Sequence, residues 1–316
     1  MTAPPDTAPA VLACGEVRTC VLPSGRPLDA RAAAQLLRLR ADERVLVSVR
    51  PNLYALSPQT LTGVDCRLPT ANGAKVRVVG TVAARAALTE GRILQTSAYF
   101  RTPAQGPDRR RPWGHYLIRP GVVEPLGRLP ESAAQGLLSG GRPGELDLGL
   151  IADGVLTSLV RHPLLDQRAP LKSRPTRLRW AALPTETGQG PAIEEFTLAE
   201  DDLRTVRLRV PAGTEPAAIT ALCEDFALHD WLLTTVARLL AGGLGPVEGP
   251  DALKALRPAA EHLMHLWMPR ARGDRTLRAL WDVLEQDPGF TRQWDNLVQR
   301  VRDRLALLNA LPKQST

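Results

Sequence analysis

Residues 11–22 and 44–50 are rich in β-branched side chains, and their apolar positions alternate with polar ones, the period of a strand with one face buried. Between them, residues 28–40 (LDARAAAQLLRLR) hold the strong helix formers Ala, Leu and Arg, which predicts a helix joining the two strands. Residues 75–82 and 92–100 predict two more strands separated by a Gly-bearing turn, and LTGVDCRLPT at 61–70 reads as a turn between strands. The polar, Pro-bearing stretch 106–114 and SGGRPG at 139–144 are loop chemistry, each followed by a short helix. Three strands come next, 176–183, 193–198 and 203–210, with the last two joined by the acidic turn 199–202.

After Pro211 the apolar period becomes helical. Thr214 is placed to cap a helix with Glu215 and Pro216 in its first turn, and Gly242-Gly243 stops it. A second helix is expected from Pro250 to Pro269, a third capped by Asp274, and a fourth opened by Asp287-Pro288 and ending near Leu311. Trp231, Trp267, Trp281 and Trp294 lie in this array as aromatic anchors. The fold class is therefore α+β: a strand-rich mixed N-terminal part, then a short β-meander followed by a C-terminal helical subdomain. The expected division is a disordered tail at 1–10, a basic strand-rich α+β domain at 11–128, and a helical connector at 129–170. The meander and four helices then occupy 171–311, with a tail at 312–316.

Charge changes this picture in one respect. The chain of 316 residues has a net charge of +7, but only Lys75, Lys172, Lys254 and Lys313 of its 40 basic residues are lysines. With Ala, Gly, Pro and Leu abundant, this is how a GC-rich genome writes any protein, so position carries more information than total. Residues 1–128 hold 18 Lys/Arg against 9 Asp/Glu, a net of +9, while residues 129–316 hold 22 against 24, a net of −2. The basic excess belongs to the N-terminal part and motivates a search for an anionic partner.

Cys14, Cys20, Cys66 and Cys223 show neither a C-x-x-C pair nor zinc-ligand spacing, as expected of a reduced cytoplasmic chain. The first ten residues lack the basic and apolar regions of a signal peptide, and no apolar run approaches the roughly 20 residues that span a bilayer. Neither Gly-rich stretch has phosphate-cradle spacing, and the nucleophile elbow, the zinc-protease helix motif and the kinase motifs are all missing. No cofactor and no metal is expected.

Two acid–histidine pairs have i, i+4 spacing. Asp225 and His229 border the apolar face of the first long helix, where an imidazole satisfied by its own carboxylate competes with a general base; Glu261 and His265 point to solvent. PDRRRPWGHYLIRP at 107–120 is the sharper candidate. It sets Arg109, Arg110, Arg111 and Arg119 around Trp113, His115 and Tyr116, joining phosphate-seeking guanidinium groups to rings that stack on bases. The bland alternative is a solvated loop with Trp113 and Tyr116 turned into the core. A second basic stretch, 161–179, has six Lys/Arg against Asp166, and alternation places Arg177 and Arg179 on one face beside Arg174. Were the two stretches to meet, they would form a polyanion-binding groove. Cys66 is either a reactive thiol or a small buried apolar residue.

The strings GEVRTCVLP at 15–23, LTGVDCRLPTANG at 61–73 and EDFALHDWLLTT at 224–235 carry a further signal, together with WGHYLIRPGVVEPLGR at 113–128. The chain resembles, over most of its length, an uncharacterised actinobacterial family of conserved proteins. The resemblance implies membership of a multi-component intracellular system encoded beside a variant P-loop protein and a predicted methyltransferase, and it transfers no catalytic residue. The function expected is a non-catalytic interaction or regulatory subunit, with a protein partner such as the P-loop protein. Nucleic-acid binding through the arginine stretches and an enzyme with a dispersed site are the alternatives. An exposed apolar stripe of Trp294, Leu297, Val301 and Leu308 on the last helix would favour the first.

Overall fold

The computed structural model describes residues 13–103, 105–130, 132–186, 188–242, 256–258, 260–269 and 275–310. Its frame is one sheet of ten strands with helices on both faces, an α+β architecture. Strands β1 (Ala13–Val21), β5 (Val76–Thr89), β6 (Ile93–Arg101), β8 (Thr176–Pro184) and β10 (Leu203–Val210) form its middle. Strands β2 (Leu46–Ser48) and β3 (Tyr54–Leu56) lie at one edge and β9 (Ala192–Glu200) at the other, in the order β2-β3-β5-β6-β1-β8-β10-β9. Strand β5 is long enough to be lined twice on each side. Strands β3 and β4 (Thr60–Leu68) follow one another along one side of it, β6 and β7 (Val123–Pro125) along the other. The segment expected as a turn at 61–70 is thus mostly strand β4; Gly63 and Asp65 are tolerated because their side of the strand faces outward, while Val64 and Leu68 are buried.

The sheet crosses the boundaries expected at 128 and 171. Strand β1 pairs β6 along one side and β8 along the other, so the late strands extend the early ones. All three late strands are present, but β10 lies beside β8 and parallel to it, with β9 outside. Residues 185–191 span the two strand spacings, about 10 Å, that this order requires.

One face of the sheet carries α5 (Pro216–Gly242), whose Phe226 and Trp231 pack against Val17, Trp180 and Val206. Beside α5 lie α6 (Arg278–Gln286), which also packs on β9, and α7 (Phe290–Ala310), which packs on α5. The stripe on α7 is not exposed: Trp294 and Val301 are buried, Leu297 packs against the same core, and Trp294 stacks on Trp267 at 4.6 Å. The side chain of Leu308 lies outside the described residues, as do the tails 1–10 and 312–316, residues 250–255 and 259 of the expected second helix, and the cap Asp274. The described part of that helix is helical at 256–258 and 260–262 and gives way to a 3-10 turn at Met264–Leu266.

The other face carries α3 (Ala133–Ser139) and α4 (Leu148–Val160). Helix α4 starts at Asp147, whose side chain accepts from the Leu150 N–H. A third core at the β2 edge gathers Leu22, Leu36, Leu37 and Leu159 around α1 (Ala30–Leu36). No helix among the described residues is long and apolar enough to cross a membrane.

Candidate functional site

Residues 107–120 fold over the far end of β4 and β5. Their centre is the one-turn helix α2 (Trp113–Leu117), held from below by Tyr116, which is buried and whose hydroxyl accepts from the Arg111 N–H at 2.9 Å. Glu124 on β7 is also buried. It accepts from Arg119 and lies 3.1 Å from His115 Nε2, so a buried carboxylate orients both side chains. Gly80 makes this placement feasible, because a Cβ there would lie 2.1 Å from the Val122 carbonyl oxygen.

Asp65 organises the arginines. It accepts from Arg77 Nε at 2.8 Å and from Arg110 Nε at 2.9 Å, and the hydrogen bond from Arg77, reinforced by Arg110, holds its carboxyl below the usual range. Arg110 in turn sits over the Trp113 ring, 5.3 Å from its centre. The Trp113 ring lies across Gly63, where a Cβ would meet it at 3.4 Å. Arg109 and Arg111 are exposed and make no side-chain hydrogen bond or ion pair among the described residues.

Around this centre the surface is apolar. Trp113 is 38% exposed, Leu117 60% and Ile118 78%. Trp113 and Leu117 share a helix face, and the adjoining strand adds Leu61, which lines a mixed hollow with Leu46, Leu56 and Pro120 and with the charged Glu43, Arg44 and Arg85.

The second arginine stretch is placed differently. Arg177 is held bidentately by Asp202, at 3.1 and 2.9 Å, and also by Glu200. Arg179 donates to Glu16 at 2.8 Å, and the Arg174 carbonyl accepts from Trp231 Nε1. The hollow there is lined by Arg18, Asp153, Arg174, Asp201, Asp202 and Arg238, a balanced set of cations and carboxylates. Register also separates the stretches. Arg177 pairs through Arg18 and Thr96 with Ala86, whereas Asp65 pairs with Val79, about 20 Å along β5 and on the opposite face. The structure does not bring Arg109, Arg110, Arg111, Trp113 and Tyr116 together with Arg174, Arg177 and Arg179.

The acid–histidine pairs are occupied as well. His229 and Asp225 are both buried; the His229 ring lies 2.7 Å from the Asp225 carbonyl oxygen and edge-on to Trp267 and Trp281. Trp281 Nε1 donates to Asp225 at 2.9 Å. Glu261 pairs with Arg257 instead of His265, which sits in a separate 3-10 turn. Among the described residues no group of three or more His, Cys, Asp or Glu is placed to hold a metal ion. Burial pushes the thiols of Cys14 and Cys223 well up and that of Cys20 up to about 12; burial and then Asp65 raise Cys66, which is half-buried.

Sequence reasoning missed Leu117 and Ile118 as exposed groups, and Glu124 as the buried anchor beneath them. The run YLIRP has the composition of core, and only its placement on a single helical turn leaves it outside. None of the protein families, curated proteins or solved structures compared with this chain matches it, so its function has to be read from these residues themselves.

Proposed function

We propose that the chain is a non-catalytic interaction or regulatory subunit whose partner protein docks on α2. The observation that carries this reading is the exposed set Trp113 and Leu117 on a one-turn helix and Ile118 at its end, pinned by Tyr116 and Glu124 and rimmed by Arg109, Arg110 and Arg111. Large apolar side chains held rigidly, with Trp and Arg among them, are the composition of binding hot spots. Burying these three in a partner would contribute on the order of 4 kcal/mol from apolar area alone. The resemblance to a multi-component system makes a protein of that system, such as the P-loop protein, the first partner to try.

The test is affinity purification from the native host, with and without nuclease, comparing the natural chain with Leu117→Glu/Ile118→Glu. A partner that survives nuclease and is lost from the variant supports the reading. A partner retained equally by the variant removes α2 as the docking site.

A second reading rests on Arg109 and Arg111 being exposed and making no side-chain ion pair among the described residues: this corner binds a polyanion, with Trp113 available for stacking. Affinity for single-stranded nucleic acid should then fall steeply with salt and with Arg109→Ala/Arg111→Ala. No binding at low salt would dispose of it.

A further inference from the structure

Strand β2 ends the sheet. It pairs β3 from Leu46↔Leu56 to Ser48↔Tyr54, and among the described residues no strand pairs its other side. Leu46 is 67% exposed, Val47 40% and Val49 66%, so both faces of an apolar strand meet solvent beside a row of open backbone groups. Natural sheets normally cover or charge such an edge, because it is a template for another strand.

The charges on this edge select what the template accepts. Arg44 and Arg50 flank it, both exposed and with no side-chain hydrogen bond or ion pair among the described residues. Two copies of β2 paired antiparallel about Val47 would set Arg44 of each against Arg50 of the other, a repulsive arrangement. Strand β9 of a second copy is a poor complement, since its Glu194 is held by Arg209 and its Glu200 by Arg177. The hollow on the Leu46 face of β2 is lined by Leu56, Leu61 and Pro120 but also by Glu43, Arg44 and Arg85, so it suits a small side chain with an apolar and a polar part, such as Thr, on an added strand.

We propose that β2 accepts an extended acidic segment of a partner protein as an added strand. The segment carries carboxylates six residues apart, facing Arg44 and Arg50, with β-branched residues between them. This rests on the interaction-subunit reading and names a second contact within it. Backbone hydrogen bonds supply affinity, and the terminal carboxylates supply direction and selectivity.

The experiment uses the full chain and two labelled peptides, Glu-Val-Thr-Val-Thr-Val-Glu and its counterpart with Lys at both ends, read by fluorescence anisotropy at low salt. The expected result is a roughly tenfold preference for the Glu peptide, with slowed amide exchange at residues 46–49. Arg44→Glu/Arg50→Glu, at exposed positions, should reverse the preference. No binding, equal binding of the two peptides, or an unchanged preference in that variant overturns strand addition. Leu117→Glu/Ile118→Glu should leave peptide binding as it was, so failure at β2 is distinguishable from failure of the α2 docking surface.

Discussion

Arg85 and Glu224 meet in a two-pronged ion pair, Nε to Oε1 at 2.9 Å and Nη2 to Oε2 at 2.8 Å, that ties β5 to α5 out of reach of water. Ser97 Oγ donates to the same carboxylate at 2.7 Å, and Gln95 donates to the Glu224 carbonyl. Burial opposes the Arg85 charge, but Glu224 outweighs it and raises the guanidinium pKa. Glu224→Ala should cost about 3–5 kcal/mol in urea unfolding, because it leaves a buried cation without its counter-charge. Arg85→Met/Glu224→Leu should recover most of that loss. Equal instability of the single and double variants would show that shape, not charge, dominates there.

His229→Ala should destabilise by about 2–4 kcal/mol, since the ring fills a slot between Trp267 and Trp281 and its removal leaves a cavity. Thermal unfolding with tryptophan fluorescence reads both the loss and the disturbed indoles. An unchanged melting temperature would argue against a structural role for the Asp225–His229 pair.

Gly80→Ala should destabilise by about 2–4 kcal/mol, since the new methyl group meets backbone of the neighbouring strand that cannot move aside alone. Strand β7 carries Glu124, so the same change should loosen α2. Hydrogen exchange at residues 113–118 should quicken more than in α5.

Cys66 should be the thiol that iodoacetamide modifies in the native protein near neutral pH, and slowly, because burial and then Asp65 hold it protonated. Cys14, Cys20 and Cys223 are buried and should react only after unfolding. Peptide mass analysis of partly labelled protein checks the order.

Asp65 offers a pH test. Its carboxyl lies below the ordinary value near ~4, chiefly through the hydrogen bond from Arg77. A lowered carboxylate contributes stability that is present above the unfolded value and is lost as pH falls through the folded one. Arg77→Ala should raise the Asp65 titration towards the ordinary value with little effect on stability, since Arg77 is largely exposed and the pair is screened by water. NMR titration of the side-chain carboxyl measures it.

Strands and long helices were legible wherever one face is buried. β8, β10 and α5 follow from period, because the sheet and its helices impose period 2 and 3.6 on the apolar residues, whereas β1 and β6 are buried on both faces and were legible from strand-forming composition. Strand β4 was not, although Val64, Cys66 and Leu68 alternate; Gly63 and Asp65 on the outward side suggested a turn. The arginines were legible as charge but not as surface. Arg179 is neutralised by Glu16, 163 residues away, and pairing across such separation leaves no local trace. Arg110 is likewise tied to Asp65 through a strand pairing that brings distant segments together.

The position of β1 between β6 and β8 also sets a timetable for synthesis. Glu16 waits for Arg179, and at about 5–20 residues per second the chain needs roughly 8–30 s to make the intervening segment. Through that interval β1 can have gained β6 but must still lack β8. A nascent chain stalled before residue 176 should therefore present a second open strand edge, nine residues long against three in β2, and should be the species that chaperones hold or that aggregates first.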